Sequence, residues 1–163
     1  MSNNLIFDFQ TESTIQHEDR VEFTGYASVF DVIDSSNDIV LKSAFGTIKR
    51  GIPFLWQHEL SSPIGKISYV KEDEFGLYIE GFITKKTTKG SEAIDLIEQG
   101  ILSNLSIGYN VLDYYTQNGI NYLTKLDLME VSLVSIASNT HTFIKFKNSI
   151  LDKIDRIIGS LKI

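Results

Sequence analysis

Residues 102–136 have the sequence LSNLSIGYNVLDYYTQNGINYLTKLDLMEVSLVSI, in which apolar residues mostly recur at every second position. That spacing is typical of β-strands, whose side chains alternate between two faces. It predicts strands at Ser106–Tyr114, Ile120–Thr124 and Leu126–Ile136. An Asn-Gly pair at positions 118–119 separates the first two, and such a pair between alternating segments indicates a hairpin turn. The stretch therefore predicts a β-hairpin within a strand-rich fold.

The same spacing continues outward over most of the chain. It predicts further strands at Leu5–Gln10, Val21–Phe30, Phe54–Gln57, Gly65–Lys71, Leu77–Ile83 and Thr142–Phe146. Helical spacing of apolar residues predicts helices at Leu41–Arg50, Thr88–Gln99 and Ser149–Leu161. The fold class that follows is β-rich (α+β), a single closed or nearly closed β-barrel flanked by helices.

The end of the chain differs in charge from the rest. Residues 1–144 carry 10 basic and 19 acidic side chains, whereas residues 145–163 carry five basic and two acidic ones. The helix predicted there has one apolar stripe, with charges on its other face. We expect a β-barrel domain over residues 1–147 and a separable amphipathic helix over residues 148–163. The helix either packs on the barrel or binds a partner protein by its stripe.

The composition excludes several classes of protein. The chain has 163 residues, a net charge of −6, no cysteine and three histidines. Without cysteine there is no thiol catalysis, thiolate zinc site or iron–sulfur cluster. An acidic chain lacks the basic surface that nucleic-acid binding needs. No apolar run approaches about 18 residues, and the first residues do not resemble a signal peptide, so we expect a cytoplasmic protein without a membrane partner.

Three aspartates, Asp31, Asp34 and Asp38, lie close together in the sequence. Their spacing does not fit the calcium-binding loop of an EF-hand. We therefore expect no metal, and nothing in the sequence indicates a cofactor.

Among the histidines, His58 is the strongest candidate for chemistry. It ends an apolar run beside Trp56, which predicts a half-sheltered position at the end of a strand, where a general base is useful. The alternative is a partly buried structural histidine. His17 lies in a polar stretch, and His141 lies between two threonines at a predicted junction of loop and strand.

Ser106 lies between two apolar residues at the start of a predicted strand, and Gly108 follows two residues later. A glycine there allows close approach of another backbone, and nearby backbone N–H groups such as those of Ile107 and Gly108 could stabilise an oxyanion. Position 104 is asparagine, so the segment is not the Gly-x-Ser-x-Gly nucleophile motif. The alternative is an ordinary serine in a strand.

Glu130 is a carboxylate within an otherwise apolar strand. If Val131 points to one face, Glu130 and Ser132 point to the other. A carboxylate that points inward needs a partner, because an isolated buried charge is too costly, and a histidine is a natural partner. The alternative is that this face of the strand is exposed to solvent.

Six blocks carry a resemblance that covers residues 23–146. They are GYASVFDVIDSSNDIVLKSAF (25–45), FLWQHE (54–59), PIGKI (63–67), GLYIEGFI (76–83), LSNLSIGY (102–109) and LMEVSLVSIASN (128–139). In order and spacing they resemble the prohead protease family of tailed bacteriophages, Hong Kong 97 type. Members of this family cut scaffolding and other head proteins during capsid maturation. They are related to herpesvirus assembly proteases, which implies a herpesvirus-protease-like barrel.

The resemblance also implies roles for the candidate residues. His58 matches the family's catalytic histidine, and Ser106 matches its nucleophile. For the third member we favour Glu130 over His141, with Asp127 a lesser possibility. Backbone N–H groups of Ile107 or Gly108 are the nearest oxyanion donors.

The biological role follows from the same resemblance. It implies a serine endopeptidase of the host bacterial cytoplasm and the assembling prohead, with scaffold and major capsid proteins as substrates. A homodimer and self-cleavage of the C-terminal tail are further expectations. The alternative is a catalytically silent barrel that binds scaffold or capsid protein during assembly.

Overall fold

The computed structural model describes residues 18–48 and 51–147, together with Ile158. Eight strands and one helix are formed within these residues. In chain order they are β1 (Arg20–Val29), β2 (Asp38–Val40), β3 (Pro53–Trp56), β4 (Pro63–Glu72), β5 (Gly76–Thr84), α1 (Thr88–Glu98), β6 (Asn104–Gln117), β7 (Ile120–Val134) and β8 (Phe143–Phe146). No helix in residues 18–48 and 51–147 is long and apolar enough to cross a membrane.

All eight strands belong to one curled sheet, in the order β2-β7-β3-β4-β5-β1-β8, with β6 paired to β7. The strand β7 is central to this arrangement. Its first residues pair in parallel with β2, and Val131–Leu133 pair in parallel with β3. The whole length of β7 pairs antiparallel with β6. The sheet thus brings the ends of β3, β6 and β7 together.

The core fills the concave side of the curled sheet. Phe23 of β1 and Phe54 of β3 are both fully buried, and their ring centroids are 4.7 Å apart. Leu105 of β6 and Leu133 of β7 are also fully buried in the same cluster. Burying each such side chain contributes about 1.5–3 kcal/mol, so this layer holds β6 and β7 firmly against β1 and β3.

The helix α1 confirms the prediction of a helix at Thr88–Gln99. Thr87 begins it, since its side-chain oxygen accepts a hydrogen bond of 3.1 Å from the backbone N–H of Gly90. Gly100, with a φ of 70°, follows its end. Ala93 and Ile94 on one face of α1 are buried.

The prediction of a closed or nearly closed barrel flanked by several helices is wrong. The sheet is a curled half-barrel, and α1 is the one helix between residues 18 and 147 that the structure describes. Within the described residues, β6 pairs only with β7, and β8 pairs only with β1. The backbone N–H of Ile144 donates to the carbonyl of Ser103 at 3.0 Å, but no ladder of bonds joins these strands. Alternating apolar residues specify buried faces, not which strands become neighbours, so closure could not be inferred from them.

The predicted helix at Leu41–Arg50 is also wrong over the described residues 41–48. Ser43 has a φ of 71°, which no α-helix accommodates. The backbone there bonds to β7 instead: the N–H of Leu41 donates to Leu123 at 3.1 Å, and the carbonyl of Ala44 accepts from Leu126 at 2.7 Å. Tertiary hydrogen bonds have overridden the helical spacing of the apolar side chains.

Three predicted features lie outside the described residues. They are the strand at Leu5–Gln10, the C-terminal helix at Ser149–Leu161 apart from Ile158, and the separable segment 148–163. Two smaller differences concern strands. The predicted strands Ile120–Thr124 and Leu126–Ile136 form one strand, β7, and the three-residue strand β2 was not predicted.

Candidate active site

Ser106, His58 and Glu130 form one continuous hydrogen-bonded row. The Nε2 atom of His58 lies 3.0 Å from the Oγ atom of Ser106. The Nδ1 atom of the same ring lies 2.6 Å from the Oε1 atom of Glu130. Since a carboxylate only accepts, Nδ1–H donates to Glu130, which leaves Nε2 to accept the serine proton. This is the order of groups in which an imidazole activates a serine.

Two paired strands place the serine and the carboxylate. In the ladder of β6 and β7, Ser106 lies opposite Ser132, and Gly108 lies opposite Glu130. The register shifts directly after this pair, since Tyr109 lies opposite Leu128 and Met129 has no partner. Such a β-bulge re-aims neighbouring side chains, and bulges are common beside active sites. A local irregularity of β7 therefore lies directly beside the pair of Gly108 and Glu130.

A strained turn at the end of β3 places His58. Gln57 and His58 have φ values of 49° and 62°, a left-handed conformation that costs about 1–3 kcal/mol per residue without glycine. The turn is held because Gln57 N–H donates to the carbonyl of Leu133 at 3.0 Å, and Glu59 N–H donates to that of Trp56 at 2.8 Å. The backbone thereby turns the imidazole back over β7.

The side chain of Gln57 supports the same turn. Its Nε2 donates to the Oγ atom of Ser135 at 2.8 Å, and its Oε1 accepts from the backbone N–H of Ser135 at 3.2 Å. This pair of bonds fixes the left-handed turn to the end of β7. Sequence reasoning missed Gln57, because nothing in the sequence distinguishes it from an exposed polar residue beside His58.

Ser132 is the second residue that sequence reasoning missed. Its hydroxyl donates to the Oε2 atom of Glu130 at 2.6 Å and accepts the backbone N–H of His58 at 3.1 Å. Ser132 is fully buried, and Glu130 is only 5% exposed. The alternative that Glu130 faces solvent is therefore wrong. A signal was available, since alternation places Ser132 on the same face of the strand as Glu130.

Gly108 makes room for the Glu130 carboxylate. A Cβ atom at position 108 would lie 2.3 Å from Glu130 Oε1 and 2.9 Å from its Cδ, which is far inside van der Waals contact. The glycine was expected to allow approach of a substrate backbone; in the structure its missing side chain accommodates the glutamate instead. Its role as an oxyanion donor stays a prediction, as does that of Ile107.

The remaining candidates lie elsewhere. The Nδ1 atom of His141 is 3.4 Å from the hydroxyl of Thr140, and its backbone N–H donates to Asn139 Oδ1 at 3.3 Å. Asp127 lies opposite Asn110 in the ladder of β6 and β7, on the far side of the Met129 bulge. Of the three candidates, Glu130 is the one that bonds to the Nδ1 atom of His58.

Glu130 is the most buried residue of the row. The side chain of His58 is 44% exposed, whereas that of Glu130 is 7% exposed. Ser106 and His58 line a cavity of about 160 Å³ together with Ile107. Ser106 and His58 are therefore accessible from the cavity, while the Glu130 carboxylate is shielded from water.

Comparison with known proteins identifies relatives of this chain. The model of the caudovirus prohead serine protease family matches residues 8–157. The prohead protease of Enterobacteria phage HK97 is 31% identical over 136 residues, which cover 78% of this chain and 60% of that protein. The prohead protease of Escherichia phage T5 is 31% identical over 128 residues, covering 73% and 59%. The capsid polyprotein of Pseudomonas phage PAJU2 is 28% identical over 159 residues, covering 92% and 23%.

This chain therefore spans less than two thirds of the length of each of these three relatives. Its fold is similar to that of Kaposi's sarcoma-associated herpesvirus protease. The complex of that protease with a hexapeptide phosphonate inhibitor superimposes with a TM-score of 0.57 at 12% identity, covering 88% of this chain and 78% of the protease. Its complex with a dimer disruptor gives a TM-score of 0.55 at 13% identity, covering 83% and 80%.

The structural likeness confirms the expected herpesvirus-protease-like fold, although as a curled half-barrel. The family model matches far more than half of the chain, and two relatives that are 31% identical are themselves prohead proteases. The chain belongs to the caudovirus prohead serine protease family.

Proposed function

We propose that this protein is a serine endopeptidase that cleaves scaffold and capsid proteins during maturation of the phage prohead. Ser106 is the nucleophile, His58 is the general base and Glu130 orients His58. The observation that carries the proposal is the imidazole of His58, which lies within hydrogen-bond distance of Ser106 at Nε2 and of Glu130 at Nδ1. Family membership supports the reaction class independently of this geometry.

In the first half of the reaction, Ser106 Oγ attacks the carbonyl carbon of the scissile peptide bond while its proton passes to His58 Nε2. Glu130 stabilises the imidazolium that forms, because its carboxylate accepts the Nδ1 proton. When the tetrahedral intermediate collapses, the carbon–nitrogen bond breaks and the leaving amine takes the proton from Nε2. The product of this half is an acyl-enzyme on Ser106.

In the second half, a water molecule attacks the acyl carbon and gives its proton to His58 Nε2. The ester bond to Ser106 breaks, and the serine regains its proton. Both tetrahedral intermediates carry an oxyanion, which backbone N–H groups of Ile107 or Gly108 are proposed to stabilise. Removing one such donor from a protease typically costs about a hundred- to a thousandfold in rate.

The proposed substrates and setting come from the relatives. Two are prohead proteases, and the third is a capsid polyprotein, in which such a chain forms one part of a larger product. We propose scaffold and major capsid proteins as substrates, and the assembling prohead in the host cytoplasm as the place of action. We further propose a homodimer, which sedimentation analysis of the purified chain tests directly.

Co-expression with its capsid and scaffold proteins tests the proposed function. The wild type should shorten them, and Ser106→Ala should abolish cleavage while remaining folded and still co-purifying with its substrate. The circular dichroism spectrum of the variant is the control for folding. Cleavage that persists in Ser106→Ala would remove Ser106 as the nucleophile. A wild type that binds but never cleaves would instead favour a silent assembly factor.

A further inference from the structure

The cavity beside Ser106 and His58 has the size of one side chain. Its volume is about 160 Å³. Small-molecule sites usually measure about 300–1,000 Å³, and one water takes up about 30 Å³ in the liquid. A single long side chain of a peptide therefore fits the cavity, whereas a nucleotide or a similar cofactor does not.

Two acidic residues, Asp34 and Asp38, line the same cavity as Ser106 and His58. Asp34 Oδ1 accepts the backbone N–H groups of Ser36 at 2.8 Å and Asp38 at 2.9 Å. Asp38 Oδ1 accepts the side-chain amide of Asn121 at 2.9 Å. Every one of these partners is neutral, and among the described residues no lysine or arginine pairs with either aspartate. Within the described part of the chain, no basic side chain therefore neutralises Asp34 or Asp38.

The wall that carries these charges is fixed before any ligand arrives. The N–H of Asp34 donates to the carbonyl of Asp38 at 2.9 Å, and that of Ser35 donates to Ser138 at 3.2 Å. The side chain of Asn139, which also lines the cavity, donates to the carbonyl of Val29 at 2.8 Å. Preorganisation of this kind lets a charged wall select a ligand without the cost of ordering a loop.

A buried serine and a half-buried tyrosine complete the polar lining. Ser28 is 2% exposed and lines the cavity. Burial, with the charges of Asp38 and Asp34, raises the pKa of Tyr109 to about 12. Tyr109 therefore stays neutral and can donate or accept a hydrogen bond within the cavity.

We propose that this cavity is a specificity pocket that takes a lysine or arginine side chain of the substrate, from a residue that flanks the scissile bond. The inference rests on the proposed function, since it presumes that Ser106 cleaves a peptide in this cleft. An ammonium or guanidinium group would neutralise Asp34 and Asp38 and offer a donor to Ser28. An acidic substrate side chain would be repelled by the same two carboxylates.

A peptide library tests the pocket with the full chain. The library is made from a bacterial proteome with a glutamate-specific protease, so that lysine and arginine stay inside the peptides. New termini that appear with the wild type, and not with Ser106→Ala, are read by mass spectrometry. We expect lysine and arginine to be enriched at one position beside the cut.

Two matched peptides then measure the charge effect, one with lysine and one with uncharged norleucine at that position. Asp38→Asn should lower kcat/KM for the lysine peptide by about ten- to a hundredfold, and by much more than it lowers kcat/KM for the norleucine peptide. Asp31→Asn is the control, because Asp31 is an exposed aspartate of the same loop outside the cavity lining, with a φ of 57° that asparagine tolerates.

The outcomes separate the two proposals. Ser106-dependent cleavage with no basic preference, or an equal loss on both peptides in Asp38→Asn, overturns the pocket and leaves the protease intact. A wild type that cleaves nothing beyond the Ser106→Ala background rejects the protease, and the pocket with it.

Discussion

The imidazole of His58 is held through both ring nitrogens and through its own backbone. Nδ1 bonds to Glu130, Nε2 bonds to Ser106, and the backbone N–H donates to Ser132. Ser132 in turn donates to Glu130, so His58, Glu130 and Ser132 form a closed ring of hydrogen bonds. A ring held in this way keeps the tautomer and the orientation that general-base catalysis needs.

Glu130→Gln tests the orienting carboxylate. Glutamine keeps the size of the side chain but removes the negative charge that stabilises the imidazolium of His58. We expect kcat/KM to fall about 10³- to 10⁴-fold, less than for Ser106→Ala, because the orienting residue contributes less than the nucleophile. His141→Ala, measured on the same substrate, should be close to wild type. A larger loss in His141→Ala than in Glu130→Gln would reverse the assignment.

The sequence could identify the three residues of the hydrogen-bonded row and not the residues that support them. Ser106, His58 and Glu130 stand out because each is a polar residue in an apolar setting and each matches a family block. Gln57 does not stand out, since its importance lies in a left-handed φ and in bonds to Ser135 that only folding creates. For Gly108 the sequence correctly indicated that another group approaches the glycine closely. The group is the side chain of Glu130 and not another backbone.

At the level of elements, the hairpin of β6 and β7 was the most predictable part of the fold. The Asn-Gly pair at 118–119 fixes the turn, because both residues adopt positive φ, at 53° and 77°. Two adjacent residues are therefore enough to predict this turn. The three-residue strand β2 and the chain at residues 41–48 are hydrogen-bonded to β7. Their conformation therefore depends on contacts that are distant in sequence.

The packing of Gly108 against Glu130 couples the two strands of the hairpin, and a double-mutant cycle tests this coupling. Gly108→Ala alone should lower kcat/KM strongly, because its Cβ would displace the Glu130 carboxylate. In a Glu130→Ala background the same change should lower kcat/KM little further, since the space beside position 108 is then empty. Equal effects of Gly108→Ala in both backgrounds would show that the glycine does not act through Glu130. Thermal unfolding of each variant is the control for a general loss of stability.

At the scale of the whole molecule, the family match continues to residue 157, past the boundary proposed at Lys147. Lys147 itself is tied to the sheet, since its N–H donates to the carbonyl of Glu22 at 3.0 Å and its ammonium group pairs with Glu80. We propose that the domain ends there and that the protease removes the segment that follows. The segment 148–163 would then be both a substrate and a separable helix.

Mass spectrometry of the purified protein tests this self-processing. The wild type should lose mass from its C-terminal end under active conditions, whereas Ser106→Ala should keep the intact mass. A chain ended at Lys147 should stay folded, with thermal unfolding close to that of the full chain. An intact mass for active wild type contradicts self-cleavage, and unfolding of the shortened chain contradicts separability.

The central claim is that His58 activates Ser106 as a nucleophile, and covalent labelling with a fluorophosphonate measures this most directly. The reagent phosphonylates an activated serine, and peptide mass spectrometry locates the adduct. We expect one adduct on Ser106, lost in Ser106→Ala and strongly slowed in His58→Ala, while both variants keep the wild-type circular dichroism spectrum. Labelling at another serine, or labelling of Ser106 at an undiminished rate in His58→Ala, would contradict the claim.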